Sequence, residues 1–125
     1  MRKILVVEDD PVISELIGIT LESPEYEIDF ADNGIDALAA LARRSPDLVL
    51  LDIMIPPPDG WKIYKVIRSS LEYARTKVIV LTALGFSPEF LASKNMAPTD
   101  LFMRKPFELD ELTVNVANML SAVPL

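Results

Sequence analysis

Two short apolar runs end abruptly in carboxylates. Ile4-Leu5-Val6-Val7 leads into Glu8-Asp9-Asp10, and Leu48-Val49-Leu50-Leu51 leads into Asp52. Two further polar residues follow similar runs: Thr82 after Val78–Leu81, and Lys105 after Leu101-Phe102-Met103. Clustered carboxylates repel, which raises their proton affinity unless a cation neutralises them. Oxygen-only ligands of this kind suit Mg²⁺, which keeps several waters and shares oxygens with phosphate. A carboxylate can also act as a nucleophile and take up a phosphoryl group. A metal ion and an ammonium such as Lys105 then offset the charge on the transferring oxygens. Thr82 offers a small hydroxyl for one phosphoryl oxygen, and Ala83 beside it leaves room.

That chemistry requires the runs to end side by side. Continuous apolar runs of four or five residues read as strands buried on both faces, the pattern of a parallel sheet. Strand and helix signals alternate five times. The strands fall at Lys3–Val7, Tyr26–Phe30, Asp47–Leu51, Lys77–Leu81 and Leu101–Met103. In the second strand, Tyr26, Ile28 and Phe30 alternate with Glu27 and Asp29, which fits a half-buried strand near a sheet edge.

Pro11 sits at a first helical position with Asp10 as N-cap. Ile13, Leu16, Ile17 and Leu21 follow at helical spacing, and Ser23-Pro24 ends that helix. Asp32-Asn33-Gly34 turns the chain into a second helical stripe of Ile35, Leu38, Ala39 and Ala42. Pro56-Pro57-Pro58 stiffens the loop after Asp52, and Asp59-Gly60 reads as turn and cap. Ile63, Val66, Ile67 and Leu71 mark a third helix, and Ser87-Pro88-Glu89 opens a short fourth. Leu109, Leu112, Val116, Met119 and Leu120 form the last.

Five such units predict a single α/β domain with helices on both faces of a parallel sheet. The flavodoxin-like order 2-1-3-4-5 puts strand 1 beside strand 3 at the switch point, where ligands bind beyond the carboxyl ends. Glu8, Asp9 and Asp52 then converge. The 125 residues suffice for one domain with a real core, and half of them are hydrophobic. There is no apolar stretch long enough to span a membrane and no export signal, which favours the cytoplasm. Without cysteine or histidine there is no disulfide, thiolate or zinc site of the usual kind, and no Ser-His-Asp catalysis. A net charge of −7 argues against direct nucleic-acid binding.

The stretches ILVVEDDP at 4–11, DLVLLDIMIPPPDG at 47–60, VIVLTA at 78–83 and LFMRKPFELDEL at 101–112 resemble the receiver domain of two-component response regulators, from about Arg2 to Leu120. The resemblance implies a (βα)5 receiver with Asp52 as phosphoacceptor. It makes Glu8, Asp9, Asp52 and the backbone carbonyl of Met54 the Mg²⁺ ligands, Asp9 directly and Glu8 more through water. Thr82 matches the switch hydroxyl, Phe102 the switch aromatic, and Lys105 the partner of the phosphoryl group. The Lys105-Pro106 peptide is expected to be cis. Pro98-Thr99-Asp100-Leu101 departs from the Gly-Ala-Asp-Asp of many relatives, so the approach to strand 5 is open to rerouting. The last helix lacks the arginine-bearing face that one DNA-binding subfamily uses to dimerise, so the resemblance does not carry that dimer over.

The implied function is a phospho-switch. A partner histidine kinase or phosphotransfer protein supplies the phosphoryl group, and the face made by the last two helices and strand 5 changes its affinity for a downstream partner. The chain is expected to be one receiver, residues 1–125, with no output domain and no turnover of a separate substrate. Two rivals remain. One is a degenerate receiver that works unphosphorylated as a binding module. The other is a phosphatase or phosphotransferase with an aspartyl-phosphate, but its usual second acid falls at Met54. Asp10 reads as a cap rather than a ligand, and Phe102 reads equally as core or as a gate.

Overall fold

The computed structural model describes residues 1–83 and 96–121. Its elements are β1 (Arg2–Val7), α1 (Pro11–Leu21), β2 (Tyr26–Ala31), α2 (Gly34–Arg44), β3 (Leu48–Asp52), α3 (Gly60–Ser69), a 3₁₀ turn (Leu71–Tyr73), β4 (Lys77–Thr82), β5 (Leu101–Arg104) and α4 (Leu109–Ser121). All strand pairs are parallel, in the order β2-β1-β3-β4-β5. This is the flavodoxin-like architecture the alternation predicts. The helix expected to open at Ser87-Pro88-Glu89 lies outside the described residues.

The three inner strands each carry an unbroken run of four apolar residues because each face meets its own layer of helices. Leu5, Val7, Val49, Leu51, Val78 and Val80 pack under α2 and α3, against Ala37, Leu41, Ile63 and Ile67. Ile4, Val6, Leu48, Leu50, Ile79 and Leu81 pack under α1 and α4, against Ile17, Leu21, Leu112 and Val116. β2 lies at the edge, and Phe30 at its end is 51% exposed.

The helix starts follow local chemistry. Asp10 caps α1, its carboxylate accepting from the Val12 amide at 2.9 Å, with Pro11 at the first position. Asn33 caps α2 by accepting from the Asp36 amide at 2.8 Å, and Asp59 caps α3 through the Lys62 amide at 3.1 Å. Asp10 and Asp59 therefore act as caps.

Several helix faces differ from their expected phase. α2 buries Gly34, Ala37, Ala40 and Leu41, while Ile35 is 69% exposed and Ala39 and Ala42 face solvent. Apart from Leu41 that face is made of small residues, which let the helix backbone come close to the sheet. In α3, Tyr64 is buried instead of Val66, and Leu71 lies beyond the helix and exposed. Leu16 is likewise exposed on α1. At β3, Asp47 stands just outside the strand, where its carboxylate accepts from the Lys3 amide at 2.8 Å, and Asp52 is the last strand residue.

Candidate functional site

β1 and β3 are hydrogen-bonded neighbours, with Val7 opposite Leu51. Their ends therefore deliver Glu8, Asp9 and Asp52 to one spot, where one carboxylate oxygen from each lies within 4.8 Å of the others. Glu8 and Asp52 are buried, and Asp9 faces solvent. Thr82 ends β4, fully buried, on the strand beside Asp52. The Lys105 amide donates to the Thr82 carbonyl at 2.8 Å, which carries the Lys105 side chain in from the far side of the site. The peptide between Lys105 and Pro106 is cis.

Asp52 is held on both oxygens. The Met54 amide donates to Oδ1 at 2.9 Å, and Lys105 Nζ donates to Oδ2 at 2.9 Å. Lys105 Nζ also makes a short contact to Glu8 Oε1. One ammonium thus bridges two buried carboxylates.

Burial and the neighbouring Asp52 push the Glu8 carboxyl up to about 7, against a smaller opposing pull from Lys105. Burial would raise Asp52 as well, but the hydrogen bonds from Glu8, Lys105 and the Met54 amide outweigh it and hold Asp52 below the usual carboxylate range. Burial disfavours the charged form of Lys105, yet its bonds to Glu8 and Asp52 win and raise it. The pocket therefore raises the proton affinity of Glu8 and lowers that of Asp52.

Three acids face one ammonium, an excess of negative charge confined to oxygen donors. That donor set fits a divalent cation such as Mg²⁺.

Phe102 is partly buried and packs against the core under α2 and α3. It stands opposite Val80, on the same face as Thr82 and one alternation back from the sheet's carboxyl edge. Met54 is 56% exposed at the rim.

A second polar cluster lies away from this site. The buried Asp100 carboxylate accepts from Tyr64 Oη at 2.6 Å, from Arg68 Nε at 2.7 Å and from the Val78 amide at 3.0 Å. Arg68 also donates to the Thr76 carbonyl. The departure at 98–101 thus leads the chain into β5 through an anchored aspartate. The sequence carries one signal for it, an acid directly before an apolar strand, but no local sign of its partners.

The family model described as response regulator receiver domain matches residues 4–117. The DNA-binding dual master transcriptional regulator RpaA of Synechocystis is 34% identical over 120 residues, covering 96% of this chain and 49% of that protein. The chain thus spans about half the length of the curated relatives it matches. The receiver domain of Francisella response regulator 1452 superposes with a TM-score of 0.83 at 30% identity, covering 96% of this chain and 97% of that one. The receiver domain of sensor histidine kinase PA1611 from Pseudomonas aeruginosa, solved with a magnesium ion in its active-site cleft, gives 0.82 at 28% identity, covering 97% and 98%.

Proposed function

This chain belongs to the response regulator receiver domain family, and on that premise we propose that Asp52 accepts a phosphoryl group from a phosphohistidine on a partner kinase or phosphotransfer protein. The observation that carries the reading is the convergence on Asp52: an amide on one oxygen, an ammonium on the other, and two more acids within 4.8 Å. Residues 1–125 contain no histidine, so the donor imidazole lies outside them.

Asp52, kept ionised, supplies the electron pair. An oxygen–phosphorus bond forms, the donor's nitrogen–phosphorus bond breaks, and the departing imidazole takes a proton. Lys105 follows the growing charge with its ammonium, and the Thr82 hydroxyl offers a hydrogen bond to a phosphoryl oxygen. Glu8, Asp9, Asp52 and the Met54 carbonyl would hold a divalent ion, which would supply further positive charge against the phosphoryl oxygens. Hydrolysis of the acyl phosphate resets the site, so the domain turns over no separate substrate.

The new charge draws Thr82 and Lys105 toward Asp52. Phe102, on the Thr82 face, gains room to turn inward, and the surface around β5 and α4 changes shape. Coupling of this kind is typically about 1–3 kcal/mol. The output is a changed affinity for a downstream protein or effector domain. We read the setting as cytoplasmic, where ATP charges the donor; among the described residues no helix is long and apolar enough to cross a membrane.

Acetyl phosphate with Mg²⁺ tests the assignment. Intact mass should rise by one phosphoryl group, and neither Asp52→Asn nor the wild type in chelator should gain it. An unmodified wild type, or an equal gain in Asp52→Asn, overturns the reading.

A further inference from the structure

The loop from Ile53 to Asp59 links the phosphoacceptor to α3, and three of its residues are proline. It closes on itself: the Gly60 amide donates to the Ile53 carbonyl at 3.2 Å, and a Cβ on Gly60 would lie 2.2 Å from Ile53 Cα. A push at Pro58 is therefore passed to Ile53 and Met54 instead of being absorbed along a slack chain. Proline fixes φ, which removes the usual means of yielding.

Pro58 rests on the first residue of α2. The Gly34 amide, one of the orphan donors of a helix start, donates to the Pro56 carbonyl at 3.1 Å. A Cβ on Gly34 would stand 2.0 Å from the Pro58 carbonyl oxygen and 2.6 Å from its nitrogen, both backbone atoms. The start of α2 is held in place: Asn33 caps it, and Asn33 Nδ2 donates to Asp32 at 2.7 Å and to Asp36 at 2.9 Å. Gly34 has no left-handed backbone that would call for glycine. Helix propensity alone favours alanine there, so what glycine supplies at this position is space.

We propose that Gly34 is a positioning residue for the phosphoryl-transfer site: its missing side chain seats the rigid Pro56–Pro58 segment on α2, and that seat fixes the Met54 backbone that orients Asp52. The functional meaning rests on Asp52 being the phosphoacceptor; the geometric claim does not.

The test is Gly34→Ala, with Gly18→Ala as control. A Cβ on Gly18 would meet only the end of the Phe30 ring, at 2.8 Å, a side chain free to turn aside. In metal-free protein, the Met54 amide resonance of Gly34→Ala should shift, while in Gly18→Ala it should stay. Mg²⁺ affinity, read by isothermal titration calorimetry, should weaken about tenfold or more in Gly34→Ala. Adding Pro58→Gly to soften the loop should restore part of the loss. A folded Gly34→Ala with an unmoved Met54 amide and wild-type Mg²⁺ affinity overturns the proposal. If Gly34→Ala does not fold, Pro58→Gly alone reads the same linkage: a shifted Met54 amide and weaker Mg²⁺ binding support it, and no change in either overturns it. A wild type that acetyl phosphate leaves unmodified sinks the functional assignment but not the Met54 result.

Discussion

Lys105 Nζ lies 2.9 Å from Asp52 Oδ2 while also donating to Glu8, so a single ammonium serves as internal counter-ion for two buried carboxylates. It binds two of the three acids that a divalent ion would use, so the two cations would repel each other across one pocket.

Lys105→Met removes that counter-ion and keeps much of the side-chain volume. In chelator the variant should lose about 2–3 kcal/mol, because two buried acids lose their partner and part of the cost is relieved by protonation. Added Mg²⁺ should recover more stability in the variant than in the wild type. Thermal unfolding with chelator and with MgCl₂ checks this, and an equal Mg²⁺ increment in both proteins would refute the shared-pocket account.

Glu8 sets a pH dependence with a definite sign. Its folded-state carboxyl is raised from 4.5 to about 7. Its contribution to metal-free stability is therefore complete below its unfolded value and is lost as pH climbs through about 7. A cation must displace that proton, so Mg²⁺ affinity should rise with pH across the same window. Glu8→Gln should flatten both profiles. Isothermal titration at several pH values reads the effect, and a slope that survives in Glu8→Gln would point to another group.

Asp100→Ala should destabilise the domain by about 2–4 kcal/mol, since it strips Arg68, the Tyr64 hydroxyl and the Val78 amide of one shared acceptor. Urea unfolding measures it. A loss below about 0.5 kcal/mol, the range of ordinary surface changes, would mean that the cluster holds nothing.

The face of α2 is open to a paired test. Ile35→Ala should stay within about 0.5 kcal/mol, as an exposed position does. Ala37→Leu should cost about 1–3 kcal/mol by overpacking against the sheet. The reverse ranking would restore the face drawn through Ile35.

What could be read in the sequence follows the physics of each signal. Val49 and Val80 belong to short unbroken apolar runs, and such runs, four residues long, read as strands covered on both faces. The topology then follows from a few rules, and with it the meeting of Glu8, Asp9 and Asp52. The faces of α2 and α3 were less legible because apolar bulk misleads: Ala37 and Ala40 are buried for their smallness, while Ile35 is not buried at all. Asp100 was opaque for another reason. Arg68 stands 32 positions away, and nothing local to either residue announces the other. The seat of Pro58 on Gly34 depends on a tertiary approach that no periodicity encodes.

The five-stranded sheet stands as a wall between two separately filled chambers, one under α2 and α3, the other under α1 and α4. Damage on one side is therefore expected to add to damage on the other without interaction. Substitutions that refill the α4 chamber should leave the loop seat on the opposite side undisturbed.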